Sequence, residues 1–193
     1  GEGGVVPASE AFMRRARELC DAHDALLVLD EIQVGMGRSG QLFAHWNWGI
    51  KPDIVTLAKA LGCGFPIGAM LAGPKVATAM GVGSHGTTFG GNPLATAVAR
   101  AALAKLSSPE ITANVARQSA ALKAGLEAIG TEFGVFAEVR GMGLMIGAQL
   151  KPEFVADIGA LQNLAAEQQV LILQAGTSVL RFVPALNITD EEL

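Results

Sequence analysis

Tyrosine is absent from this 193-residue chain, and only two cysteines occur, Cys20 and Cys63, without CxxC spacing. That scarcity argues against a disulfide framework and a cysteine-based metal site, and it fits a reducing cytoplasm. Histidine is nearly as sparse, with three in the chain. His85 stands alone in its stretch, reads as a loop hydrogen-bonding residue and supplies no metal site. Charged residues make up only 17% of the chain, and the net charge of -4 comes without a basic cluster, which argues against a nucleic-acid partner. No apolar run approaches the roughly 18 residues that a membrane span needs. The opening GEGGVVPASE also lacks the basic segment of a secretory signal.

Against these absences stands a hydrophobic fraction of 50%. The length suffices for a real core in one domain or two small ones. High apolar content with little charge predicts a surface covered by something else, either further polypeptide or a partner subunit. Trp46 and Trp48 share one loop-like stretch and are expected to pack there.

Ser9 is a candidate N-cap for a helix reaching Asp24, with Phe12, Ala16, Leu19 and Cys20 at helical spacing. LLVLDE follows, a continuous apolar run of the kind buried on both faces of a parallel sheet, then the glycine-rich VGMGRSG. IVTLAK and IGAMLAG continue a strand–loop–helix alternation that predicts an α/β sheet. Asn92 and Pro93 open a second helix. Ser108, Pro109 and Glu110 open a third, with Ile111, Val115, Leu122, Leu126 and Ile129 as its stripe and Gly134 as its stop. The remainder reads as a strand (VRGMGLMIGAQL), a helix over 153–169, and two strands (VLILQ and VLRFVPAL). At the end, NITDEEL resembles a helix start without a body, so the chain is expected to be a fragment.

Lys59 ends an apolar run before a tight glycine turn, and Asp30 ends the run before it. In α/β sheets the ligand crevice lies at the carboxyl ends of the strands. A desolvated lysine there can act as a nucleophile toward carbonyls. A carboxylate at a neighbouring strand end can hold a cation such as a protonated pyridine, and pyridoxal phosphate needs both groups. The plainer alternatives are a surface lysine, and for Asp30 a helix cap or an ion pair with Arg38. HGTTFGGNP offers hydroxyls and backbone amides ahead of a helix, a composition that can hold phosphate or make an ordinary turn. Arg181, inside an apolar strand, calls for a carboxylate from the protein or a ligand.

The segments GEGGVVP, LLVLDEIQVGMGRSG, PDIVTLAKALGCGFPIGAM, HGTTFGGNPLA and VLRFVPALN resemble, in order and spacing, those of the class III aminotransferases. These are pyridoxal-phosphate enzymes of fold type I. The likeness runs through essentially the whole chain and is strongest to the acetylornithine and succinylornithine members. It implies part of the large, mainly parallel-sheet domain over residues 1–108 and a smaller, truncated α+β domain over 109–193. It also implies that Lys59 forms a Schiff base with the cofactor and then moves the proton, and that Asp30 holds the pyridinium. Gln33 would lie near the phenolic oxygen, although by itself it reads as a loop residue. Thr88, with Thr87 beside it, would bind phosphate across a homodimer interface. Arg181 would receive the α-carboxylate of the acceptor. Glu2, otherwise a turn residue, would pair with Arg181 while the donor is bound and release it for 2-oxoglutarate.

The implied reaction moves an amino group from N-acetylornithine or succinylornithine to 2-oxoglutarate, in arginine metabolism. Cys63, Val34 and Ser39 depart from residues common at those places in the family. The family's N-terminal half, with its first phosphate loop, ring-stacking aromatic and a substrate arginine, is missing, so little activity is expected from this chain alone. Two other readings stay open: a different class III enzyme acting on ω-amino acids, or an aminomutase; and a non-catalytic α/β binding protein.

Overall fold

In the computed structural model, which describes all 193 residues, Ser9 Oγ accepts a hydrogen bond from the Phe12 amide at 3.2 Å. Helix α1 (Glu10–Ala22) starts there because the serine satisfies an amide that no helical carbonyl can reach. The chain divides into two units, one of Ala8–Gly37 and Gln41–Pro109, the other of Gly1–Pro7, Arg38–Gly40 and Glu110–Leu193. A single cut between 108 and 109 misses the two short segments of the second unit. Long-range bonds tie them there, including Arg140 to the Gly4 and Val5 carbonyls and the Leu144 amide to the Arg38 carbonyl. No local sequence pattern encodes such pairings. No helix is long and apolar enough to cross a membrane.

In the first unit, β1 (Val28–Asp30) pairs in parallel with β2 (Ile54–Leu57), and β2 pairs antiparallel with β3 (Ala69–Ala72). The short α2 (Pro74–Ala77) follows, and then α3 (Pro93–Leu106), whose N-cap Asn92 accepts from the Ala95 amide at 2.9 Å. The core cluster joins Met13 of α1 to Leu27 and Ile50, with Trp48 packed against it. Two expectations change here. Met13 is the buried centre of the α1 stripe, while Phe12 and Leu19 are exposed on a neighbouring face. The LLVLDE run is not buried on both faces: β1 is an edge strand, and Val28 is 52% exposed because nothing in this chain covers that side. Trp46 is likewise exposed, edge-on to Phe43.

Arg17 of α1 donates to Asp53 Oδ2 at 2.8 Å, and the Leu27 amide donates to the same oxygen at 2.8 Å. Both bonds favour the ionised form, the Arg17 bond most, and hold the Asp53 carboxyl below the ordinary aspartate range. A folded-state pKa below the unfolded one contributes stability above the unfolded value and loses it as pH falls through the folded value. Asp53→Asn should therefore flatten the loss of Tm on acidification below about pH 4. Parallel melting curves for the two proteins, followed by circular dichroism, would exclude the effect.

In the second unit, α4 (Pro109–Phe133) ends where Gly134 takes a left-handed φ of +65°. Ile111, Val115 and Leu126 of its stripe are buried, but Ile129 is 43% exposed. Gln118 is buried in the stripe instead, donating to the Ile188 carbonyl at 3.1 Å and to Asp190 Oδ1 at 2.6 Å. The stretch VRGMGLMIGAQL forms two strands, β4 (Phe136–Met142) and β5 (Met145–Leu150). Gly143, at φ +55°, turns the chain in a two-residue hairpin whose tight approach to the Arg38–Gly40 backbone excludes any side chain. The helix expected over 153–169 is a 3-10 turn (Pro152–Asp157) leading into α5 (Ile158–Glu167). Strands β6 (Leu173–Ala175) and β7 (Val179–Phe182) complete an antiparallel sheet of order β4-β5-β7-β6. Leu150, Ile158 and Leu180 form its core. At NITDEEL, Thr189 and Glu192 exchange a capping-box pair: each side chain accepts from the other's amide, at 2.9 and 3.2 Å.

Candidate active site

Asp30 is the last residue of β1, and its register partner on the parallel strand β2 is Thr56. Three residues beyond Thr56 comes Lys59, in the left-handed region at φ +48°. A long, β-carbon-bearing residue seldom adopts that conformation, and such strain gathers at functional sites. The turn that follows is tight: a β-carbon on Gly62 would stand 2.1 Å from the Phe65 carbonyl oxygen. Cys63 is also left-handed at φ +45°, and its thiol donates to the Ala60 carbonyl at 3.4 Å. The parallel pairing thus sets an amine and a carboxylate at the carboxyl edge of neighbouring strands.

Lys59 is exposed, so the expectation of a desolvated lysine is not met by this chain's own packing. Its ammonium has no ion pair. Asp30 is exposed as well, and its Oδ1 accepts from the Ile32 amide at 2.9 Å, capping the turn that leaves β1. Arg38, the alternative partner, instead donates to the carbonyls of Leu144 at 2.9 Å and Pro184 at 2.6 Å. The Thr56 hydroxyl, in the same cross-strand row as Asp30, is buried without a hydrogen-bond partner. Opposed residues in a sheet share a face, so this orphan hydroxyl lies on the Asp30 side.

The residues after Lys59 and the loop before α3 line one cleft of about 420 Å³, with Phe65 to Gly68 on one wall and Phe89 to Asn92 on the other. Thr87 and Thr88 lie in that second loop and are exposed. Thr87 packs closely on Gly90, where an added β-carbon would stand 2.0 Å from its methyl. Gln33 is half-buried in the turns after β1. Arg181 and Glu2 belong to the second unit: Arg181 is half-buried on β7 opposite Gly147, and Glu2 is exposed.

One buried group escaped the sequence reading. Glu31, 2% exposed, accepts from the Ala44 amide at 2.7 Å, the His45 amide at 2.9 Å and His45 Nδ1 at 2.7 Å. An ionised carboxylate only accepts, which places the ring proton on Nδ1. The pair ties the turn after Asp30 to the 3-10 helix Ala44–Trp48. Its only sequence signal was the acidic doublet at 30 and 31.

The family described as aminotransferase class III matches residues 1–193 of the chain. An acetylornithine aminotransferase of Xanthomonas campestris is 70% identical over 193 residues, covering all of this chain and 47% of the relative. A succinylornithine transaminase/acetylornithine aminotransferase of Pseudomonas aeruginosa is 51% identical, with 100% and 48% covered. The crystal structure of N-acetylornithine aminotransferase from Stenotrophomonas maltophilia superposes with a TM-score of 0.91 at 64% identity, covering 100% of this chain and 50% of that one. The chain therefore spans about half the length of the curated relatives it matches.

Proposed function

We propose a function from one premise that is established: the chain belongs to the class III aminotransferase family. Its residues take part in transfer of an amino group from N-acetylornithine or succinylornithine to 2-oxoglutarate, in arginine metabolism. The carrying observation is the amine of Lys59 and the carboxylate of Asp30 at one edge of the parallel β1–β2 pair. Class III aminotransferases use pyridoxal phosphate, and the groups present fit it. The Asp30 side chain spends only Oδ1 on the protein, Lys59 has no competing ion pair, and the Thr56 hydroxyl on that face lacks a partner.

Pyridoxal phosphate, when bound, supplies an electron sink for the charge left as a proton leaves the amino-bearing carbon. Asp30 keeps a proton on the ring nitrogen by offering a fixed negative charge. Lys59 Nζ takes the proton from the substrate carbon and returns it one position along. Gln33 would help hold the ring on the side of its phenolic oxygen. Thr88 and Thr87 would hold the phosphate from the neighbouring subunit of a homodimer. Arg181 binds the acceptor's carboxylate, and Glu2 neutralises Arg181 while the donor is bound. A cytoplasmic setting belongs to the same proposal, and the free Cys20 and Cys63 support it.

The intact polypeptide, assayed with 2-oxoglutarate, should show kcat/KM at least roughly tenfold higher for N-acetylornithine or succinylornithine than for simple ω-amines. Equal or better rates with the simple amines would move the assignment to another class III activity.

A further inference from the structure

Arg140 sits in a cross-strand row that joins all four strands of the second unit's sheet. It lies opposite Gly147 on β5, Gly147 lies opposite Arg181 on β7, and Arg181 lies opposite Leu173 on β6. Directly opposed residues project to one face. Two guanidinium side chains therefore flank a position that has no side chain. Val5 fills the gap: a β-carbon on Gly147 would stand 2.9 Å from the Val5 β-carbon.

The Gly1–Pro7 segment thus crosses the sheet above this row, and Arg140 fastens it. Its Nη2 donates to the Gly4 carbonyl at 2.8 Å, and its Nε donates to the Val5 carbonyl at 3.0 Å. The guanidinium is itself fixed through Nη1 to Glu138 Oε2 and Gln149 Oε1, both at 2.6 Å. At the other end the Gly176 amide, just past β6, donates to the Glu2 carbonyl at 2.7 Å. Between these anchors Val5 has φ +52°, a conformation β-branched residues avoid. The segment holds this path through its anchors, not through local preference.

We propose that Arg140 is a positioning residue for substrate selection, fixing the backbone of the Glu2 segment so that the Glu2 carboxylate stands beside Arg181. This rests on the proposed roles of Arg181 and Glu2. With Glu2 in place, Arg181 is neutralised for a donor and opened for a dicarboxylate acceptor. With the segment loose, Arg181 stays open in both half-reactions, so the donor is disfavoured relative to 2-oxoglutarate.

The test uses the intact polypeptide with Arg140→Met, Arg140→Lys and Gly147→Ala, the last of which keeps the arginine and sets a methyl 2.9 Å from both Val5 and Val179 of β7, so that Val5 must shift. Hydrogen exchange of the amides of residues 3–6 reports the segment, and the ratio of KM for N-acetylornithine to KM for 2-oxoglutarate reports selection. Arg140→Met and Gly147→Ala should speed exchange and raise the ratio roughly tenfold or more. Lysine keeps the charge but not the planar fork, so Arg140→Lys should shift both less. Unchanged exchange, or faster exchange with the ratio within about twofold of the parent, would overturn the inference. If Arg140→Met does not fold, the other two variants decide by the same readouts. Arg181→Met separates the two layers. If it leaves KM for 2-oxoglutarate unchanged, the Arg181 assignment fails and this inference with it. If KM rises while the Arg140 and Gly147 variants leave the ratio unmoved, only this inference fails.

Discussion

Lys59→Ala in the intact polypeptide should lower the rate of amino transfer by on the order of 10⁴-fold, while leaving the melting temperature close to that of the parent. The fall follows from the proposed role of Lys59 Nζ in moving the proton of the substrate carbon. Stability is spared because Lys59 is exposed and makes no ion pair. The substitution also relieves a strained backbone only in part, since alanine at φ +48° carries a β-carbon as lysine does. Borohydride reduction of the cofactor-loaded parent should add the cofactor's mass to the peptide containing Lys59, and to no peptide of the variant. A variant that turns over within about tenfold of the parent would remove Lys59 from the reaction.

The largest expected stability effect lies one residue past Asp30. Replacing Glu31 with alanine leaves two backbone amides and the Nδ1–H of His45 without their acceptor in a buried place. Removing one partner of a buried charged network costs about 3–5 kcal/mol. Glu31→Gln keeps one acceptor oxygen but turns an amide donor toward a donor, so about 1–3 kcal/mol is expected. Equilibrium urea unfolding of the intact polypeptide measures both. A Glu31→Ala midpoint indistinguishable from the parent would show that water replaces the carboxylate at no net loss. Because Glu31 anchors the turn that Asp30 caps, the weaker variant also separates stability from the placement of Asp30.

Several features were legible in the chain because local chemistry fixes them. Ser9 and Asn92 cap their helices, Gly134 stops α4, and apolar runs become β2 and β7. Lys59 and Asp30 stood out because each ended such a run, and parallel pairing places strand ends together. What escaped the reading shares one cause. Glu31 finds its partners 13 and 14 residues away, Arg140 reaches back more than 130 residues to Gly4 and Val5, and Gln118 bonds to residues 70 and 72 ahead. A polar residue inside a helical stripe, or an acid beside an acid, carries no periodicity that reveals a distant acceptor. The exposed Val28 and Phe12 misled for the converse reason: their apolar character fits burial, but nothing in this chain covers them.

By itself, the sequence determined the starts of α1 and α3, the end of α4, most strands, the expectation of a site at Lys59 and Asp30, and the likeness to class III aminotransferases, all of which rest on residue type and short-range spacing. Only the tertiary structure decided that the Gly1–Pro7 segment lies across the β4–β7 sheet with Val5 over Gly147. It alone showed that the Lys59 amine is exposed and that Glu31 is buried against His45. Those outcomes depend on strand register and on which face is covered, and both are set by contacts between residues far apart in the chain.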